Sequence, residues 1–134
     1  MPIEYSIDVP SALIVTRCIG HVTVAEVLAH FHELPRVWPP VDRLDVMLDL
    51  MKLTSLPTLK ELHDVASEIE VQIGPRRFGR CAVITDRDAL FHSMQMFEVL
   101  VNRLFDQIRV FRTTLDAVTW LSPKPNPNRL LTRQ

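Results

Sequence analysis

The sequence predicts a single α/β domain with a mixed, mostly parallel sheet of about five strands flanked by helices. Its 134 residues are enough for one domain with a core of its own. Short apolar segments rich in β-branched residues alternate with longer segments whose apolar residues recur every three or four positions. The predicted order is β-β-α-β-α-β-α-β-α. Strands that alternate with helices in this way pair in parallel through right-handed crossovers.

The first two predicted strands form a β-hairpin that leads into a helix. IEYSID and ALIVTRCI alternate or are continuously apolar, and Val9-Pro10-Ser11 between them is typical of a turn. Thr23 and Glu26 have the spacing of a capping box, which marks the start of a helix. We expect this helix to run from about Val24 to Leu34, with Pro35 following its last turn.

The centre of the chain predicts a buried strand and an amphipathic helix. PRVWPPVDR is expected to be a loop, since three prolines in a short stretch cannot donate hydrogen bonds to a sheet. DVMLDL has the apolar character of a buried strand. Apolar residues between Thr58 and Ile73 share one helical face, and Thr58 with Glu61 forms a second capping box. Gly74-Pro75 ends this helix.

The last third of the chain predicts two strands, two helices and a tail. RCAVIT is a strand, and Asp86 or Asp88 is suited to cap the long helix that follows, about Ala89 to Asp106. IRVFRT is the last strand and LDAVTWL the last short helix. The domain therefore spans residues 1–121. Residues 122–134, SPKPNPNRLLTRQ, are predicted to form a flexible tail because they are rich in proline and poor in apolar side chains.

Composition narrows the classes of function. Fifteen Lys and Arg residues against 16 Asp and Glu residues give a formal net charge of −1, so no overall positive field favours nucleic acid. No apolar stretch reaches the roughly 18 residues of a transmembrane helix, and the first residues lack a signal-peptide pattern. We therefore expect a cytoplasmic protein without stable membrane insertion. Cys18 and Cys81 lie in predicted strands without metal-ligand spacing and are expected to be buried free thiols.

Five stretches, in order, resemble one known family. GHVTVAEVL is similar to the segment that follows the hairpin in the SpoIIAA-like branch of the STAS superfamily, which is grouped structurally with SEC14-type lipid-binding domains. DVMLDLMKL, RCAVITD, MFEVL and IRVFRTTLDAVTWL resemble later strands and helices of that family. The resemblance covers about Ile3 to Leu121. It implies a regulatory or interaction module that is not an enzyme, needs no cofactor, acts through protein–protein contacts and is often a homodimer in crystals.

Thr58 is the phosphorylation site that the resemblance suggests. In anti-sigma-factor antagonists of this superfamily, the helix after the third strand begins with Asp-Ser-Ser/Thr-Gly, and a partner kinase phosphorylates a serine there. That motif falls on Pro57, Thr58, Leu59 and Lys60, and only the hydroxyl of Thr58 is kept. A phosphate at this helix start would be favoured by free N–H groups and the helix dipole. The same hydroxyl also serves as a plain cap together with Glu61.

The sequence contains no pattern that predicts a catalytic or metal-binding site. Asp49, Asp86 and Asp88 follow strands, at the edge where open α/β sheets bind ligands, and three carboxylates there would suit Mg²⁺. Helix caps and loop hydrogen bonds explain the same residues, so we predict no metal site and keep a Mg-dependent enzyme as the least favoured alternative. The five histidines lie on different elements or helix faces, and no catalytic triad is predicted.

The long helix is apolar over a wider face than one sheet covers. A neighbouring helix or loop could cover the excess within the monomer, or a second copy could cover it in a homodimer. Alternatively, the helix could line a cavity for a small apolar ligand such as a lipid or fatty acid, which makes a carrier or sensor the alternative function. The residues predicted as a ligand or dimer surface are Met94, Met96, Phe97, Leu100, Val101 and Phe105.

Overall fold

The fold is a five-stranded mixed sheet with three helices on one face and one on the other. The structure is a computed structural model and describes residues 2–74 and 76–122. The elements in chain order are β1 (Ile3–Asp8), β2 (Leu13–Gly20), α1 (Val24–Val37), β3 (Arg43–Leu53), α2 (Leu59–Ile73), β4 (Arg77–Ile84), α3 (Asp88–Val101), β5 (Phe105–Phe111) and α4 (Thr114–Leu121). The predicted fold class and element order are confirmed.

The strand order explains why three helices share a face. The sheet runs β1-β2-β3-β4-β5, with β1 antiparallel to β2 and the other neighbours parallel. Each crossover therefore moves one strand further in the same direction. Right-handed crossovers that all advance in one direction place α1, α2 and α3 on one face, with α2 packed between the other two.

The main core lies between the sheet and these three helices. Alternate strand residues point toward it, among them Ile14 and Leu44, each 1% exposed or less. Phe78 is the largest fully buried side chain. Its ring stacks on Phe105, with centroids 4.9 Å apart, and Trp38 from the loop before β3 approaches its other side at 5.3 Å. The aromatic cluster closes the end of the core nearest the amino ends of β3 and β4.

Helix α4 covers part of the opposite face. Ala117 is fully buried there against Ile84. Arg80 of β4 donates hydrogen bonds to the backbone oxygens of Trp120 (2.7 Å) and Leu121 (2.6 Å), and its guanidinium lies 5.4 Å from the Trp120 ring centroid. The last carbonyls of a helix lack partners within the helix, so Arg80 both satisfies them and ties α4 to the sheet.

Two helix ends differ from the prediction. Helix α1 continues through Pro35 to Val37, three residues beyond the expected end. Pro35 lies in the last turn, where its missing N–H removes a single helical hydrogen bond. Helix α3 ends at Val101, not near Asp106, because the chain turns (Leu104 N–H to Val101 C=O, 2.8 Å) and continues as β5. Short apolar runs fit helix and strand about equally well, which explains the error.

The start of α3 also differs from the prediction. Its N-cap is Arg87, with no capping hydrogen bond from a side chain, so neither Asp86 nor Asp88 is the cap. Asp88 is the first helical residue instead, where its charge favours the helix dipole and its carboxylate accepts a hydrogen bond from Arg112 (2.8 Å). In the described residues no helix is both long and apolar enough to cross a membrane. The predicted tail from residue 123 onward, and Pro75, lie outside the described residues.

Candidate functional site

An apolar cavity of about 270 Å³ lies between the sheet and helices α1 and α2. Its floor consists of side chains from the central strands, chiefly Ile14, Val46, Leu48 and Leu50. Its walls come from α1 and α2, chiefly Val27, Phe31, Leu62 and Val65. The cavity therefore occupies the middle of the main core, where protein interiors are normally close-packed.

The packing of α1 accounts for the cavity. Only Leu34 of this 14-residue helix is buried, although its sequence is amphipathic. Val24, Val27 and Phe31 are half-buried and line the cavity, and the main neighbours of the helix are α2 and β1. Direct packing on β2 and β3 would have buried these side chains completely. Helix α1 thus encloses a space instead of filling it.

The cavity reaches the surface at the carboxyl ends of β2 and β3. Its lining there includes the exposed residues His21 and Thr23 after β2, and Leu56 after β3, which is 48% exposed. Ser55 joins the two loops, since its Oγ accepts a hydrogen bond from the N–H of Val22 (3.1 Å) and donates one to the carbonyl of Val22 (3.2 Å). We call this opening the mouth. It lies at the edge of the sheet where open α/β folds bind their ligands.

Two helix N-termini flank the mouth, and each is closed by a capping box. The N–H of Glu26 donates to Thr23 Oγ1 (3.2 Å), and the N–H of Thr23 donates to the Glu26 carboxylate (2.9 Å). Thr58 and Glu61 repeat the arrangement at the start of α2, with the same two distances. The hydrogen bonds from Thr23 lower the pKa of Glu26. Each box satisfies two of the free N–H groups of its helix and brings a carboxylate to the mouth.

Four polar groups line the cavity further from the mouth, namely Thr16, Cys18, His30 and Cys81, and burial favours the uncharged form of the two thiols and the imidazole. Thr16 is 4% exposed. Burial, with a smaller contribution from the charge of Asp49, raises the pKa of the Cys18 thiol to about 11. Burial lowers the pKa of His30, against a weaker opposing effect of Glu33. Of the described residues that line the cavity, Glu61 is the only carboxylate and none is a lysine or an arginine.

Comparisons with known proteins bear on the fold. No family model and no curated protein matches the sequence. A solved structure does match: the crystal structure of an uncharacterized protein of the DUF3478 family with a SpoIIAA-like fold, from Shewanella loihica PV-4. The match covers 90% of this chain and 92% of that chain, with a TM-score of 0.62 and 16% sequence identity. The chain has a SpoIIAA-like fold. The resemblance predicted from five short stretches is therefore confirmed at the level of the fold.

The six residues predicted to form a ligand or dimer surface on the long helix fall into three groups in the structure. The cavity is lined by Met94, Phe97 and Phe105. Val101 is fully buried in the core and Leu100 packs against that core, so both contribute to the monomer. Met96 is 48% exposed. A ligand in the cavity would meet α3 at two side chains only, because α1 and α2 form most of the helical wall. The role of the six residues in ligand binding or dimerisation stays a prediction.

Thr58 lies where the sequence placed it, at the N-cap of α2 with an exposed side chain. Its hydroxyl oxygen accepts the capping hydrogen bond, and the ammonium of Lys60 is paired with Asp64 (3.1 Å) and not with the cap. The capping role is thus confirmed, and phosphorylation stays a prediction.

The three strand-end aspartates do not share a partner. Asp49 accepts a hydrogen bond from the N–H of Met51 (3.0 Å) and lies 3.5 Å from Arg17. Asp88 pairs with Arg112, and Asp86 is exposed. In the described part of the chain no three histidine, cysteine or acidic side chains are grouped so that they could hold a metal ion.

Sequence reasoning missed the residues of α1 that line the cavity. Val24, Val27 and Phe31 recur at intervals of three and four, which marks them as one apolar face of a helix. That spacing is the same whether the face packs on a sheet or encloses a cavity. A distinguishing signal could have come from the polar residues on the same side, since His30 is unusual beside an apolar core.

Proposed function

We propose that this domain binds a small apolar molecule in the cavity between the sheet and helices α1 and α2, and acts as its carrier or sensor. The cavity itself supports the proposal. Closed core cavities reduce stability by about 24 cal/mol per Å³, so about 6 kcal/mol is the upper limit of the cost of this 270 Å³ space, which is open at its mouth. That is a large part of the roughly 5–15 kcal/mol that stabilises a typical domain. An occupant that restores these contacts would offset much of the cost.

The volume of the cavity limits the size of the ligand. An engineered apolar cavity of about 150 Å³ holds benzene, so by proportion this one holds about eleven non-hydrogen atoms. A chain of about ten carbons fits this limit. Burial of a methylene group contributes about 0.8 kcal/mol, which for such a chain sums to about 8 kcal/mol, or a micromolar dissociation constant at best. The ligand is therefore a single short chain or a small ring system, not a two-chain lipid held entirely inside.

Thermal unfolding with and without 1-decanol tests the proposal. A ligand that binds only the folded state raises the melting temperature, so decanol at about 100 times its dissociation constant adds about 2.7 kcal/mol of stability. Val27→Phe, which places extra carbons in the cavity, should abolish the decanol shift while the protein stays folded. Val99→Phe is the matched control, since Val99 is 72% exposed on α3. No shift with the unaltered protein, or an equal shift with Val27→Phe and Val99→Phe, would contradict the proposal.

A second candidate, the interaction module, is supported by the other face of the sheet. Helix α4 packs on β4, β5 and β3. On β2, which lies beyond β3, the residues that alternate on this face are Leu13, Val15 and Ile19, which are half-buried, and Arg17, which is exposed and lies 3.5 Å from Asp49. Met51 near the end of β3 is 36% exposed. Apolar side chains on an uncovered sheet face are typical of a contact surface for another chain. A second copy of this protein, or another protein, would bury them.

A further inference from the structure

We propose that the mouth selects against anionic ligands, so that the molecule bound is an uncharged one, such as an alcohol, and not the carboxylate of the same length. This inference rests on the proposed function and specifies its ligand class. It assigns the selectivity mainly to Glu61, the carboxylate that lines the mouth.

An anionic head group at the mouth would meet negative charge. Glu61 lines the opening, and Glu26 forms the capping box with Thr23, which also lines the opening. Each glutamate is fixed by the backbone N–H of its own N-cap, so neither can swing away without breaking the box. The N-terminus of a helix attracts anions, but in each capping box the glutamate carboxylate already accepts the N–H of the N-cap and places its own negative charge at that end of the helix.

Among the described residues, no lysine or arginine lines the cavity to pair with an anionic head group inside it. The polar groups there are the hydroxyl of Thr16, the thiols of Cys18 and Cys81 and the ring of His30, whose neutral form is favoured by burial. Arg87 lies outside the lining and donates to the carbonyl of Leu53 (2.7 Å). A buried carboxylate without a counter-charge is strongly disfavoured, whereas a hydroxyl needs only a hydrogen-bond partner. Either orientation of the ligand therefore disfavours an anion.

Comparison of decanol with decanoate tests the selectivity. Decanol and decanoate are each titrated at pH 8, where decanoate is ionised, and the two dissociation constants are obtained from the rise in melting temperature with ligand concentration. Decanol should bind at least about tenfold more tightly than decanoate. Decanoate is better solvated in water than decanol, so it would bind more weakly even without any effect of Glu61. The decisive measurement is therefore how the ratio of the two dissociation constants changes in a variant.

Glu61→Gln removes the charge and keeps the cap, because glutamine also completes a capping box. It should tighten decanoate binding about three- to tenfold relative to decanol binding. Glu70→Gln is the matched control: it removes an exposed charge from the same helix, at a residue paired with Arg103 and outside the cavity lining. His21→Arg, which adds a positive charge at the exposed rim, should also tighten decanoate binding.

The outcomes separate the two proposals. If neither decanol nor decanoate raises the melting temperature, the cavity is not a binding site and both proposals fall. If decanol binds but decanoate binds as tightly, or if Glu61→Gln and Glu70→Gln behave alike, the cavity binds apolar molecules without the selectivity inferred from Glu61. Tighter decanoate binding in Glu61→Gln, with no such change in Glu70→Gln, supports both proposals.

Discussion

Thr58 stabilises the first turn of α2 with a single hydroxyl oxygen. It accepts the N–H of Glu61 at 3.2 Å, and the returning hydrogen bond from its own N–H depends on Glu61 staying in place. Thr58→Ala should lower the free energy of unfolding by about 1 kcal/mol, measured by urea denaturation, because a free N–H loses its partner. Thr58→Ser keeps the acceptor and should cost far less. Equal losses for the two variants would show that the hydroxyl does not cap the helix.

Phosphorylation of the same atom would have a different effect. A phosphate brings about two negative charges next to the Glu61 carboxylate, and like charges at this distance repel. Covalent modification of Thr58 would therefore open the capping box at one side of the mouth. The structure thus links the predicted phosphorylation site to the proposed cavity, since Glu61 belongs to both.

His30 makes the stability of the fold depend on pH. Burial in the cavity wall lowers its pKa below the ordinary value near 6.5, so the unfolded chain takes up a proton at a higher pH than the folded one does. Its contribution to stability is fully present above about pH 6.5 and is lost as the pH falls from there through the folded pKa. The opposing charge of Glu33 reduces the effect without reversing it.

Urea denaturation between pH 7.5 and 5.5 measures this dependence. The free energy of unfolding should fall with pH in the unaltered protein and in His63→Gln, whose histidine is exposed on α2. His30→Gln should flatten the curve in this range. Glu26, whose pKa is also lowered, affects stability only nearer pH 4.5, so the two contributions are separable. A curve with the same slope in both variants would rule out His30 as its source.

Helix α4 is held on the sheet mainly at its carboxyl end. It has eight residues, too few for independent stability in water, and Ala117 is the one residue in it that is buried. Arg80 compensates with two hydrogen bonds to backbone oxygens and a contact with the Trp120 ring. The forked guanidinium satisfies two carbonyls at once, which an ammonium group on a flexible stem does poorly.

Arg80→Ala should therefore lower the free energy of unfolding by about 2 kcal/mol and speed amide hydrogen exchange in α4. Arg80→Lys should recover only part of the loss. Hydrogen exchange in α2, on the other face, serves as the internal control and should be unchanged until the whole domain unfolds. Unaltered exchange in α4 would show that its apolar face alone holds it on the sheet.

The elements were predictable where the signal is local. The first hairpin strand and both capping boxes were predicted from neighbouring residues alone, because a turn or a cap depends on a few adjacent side chains. The end of α3 was not, since Leu104 and Phe105 extend the apolar stripe of the helix although they belong to the following turn and strand. Helical and extended backbones both bury such residues, and only tertiary packing decides between them.

At the scale of the molecule, the alternation of strands and helices was sufficient for the fold, but the place of the cavity under α1 and α2 was beyond prediction. Parallel pairing and shared helix placement follow from element order and crossover handedness. The cavity depends on how far α1 stands from the sheet, which no residue pattern along α1 specifies. The sequence did point to an apolar ligand, but placed it against α3. The structure puts most of the helical part of the lining on α1 and α2.

The face of β2 that no described helix covers predicts a homodimer. Val15 lies at the centre of the half-buried β2 residues, and a stable interface of about 800 Å² per partner would need to include them. Light scattering after gel filtration, at 10 to 500 μM protein, should show a monomer–dimer equilibrium. Val15→Lys should shift it to monomer without loss of the fold, because it places a charge in the contact, whereas Val99→Lys on α3 should not. A protein that is monomeric throughout, or a dimer broken only by Val99→Lys, would move the contact away from β2. The second result would place it on the long helix, where the sequence first suggested it.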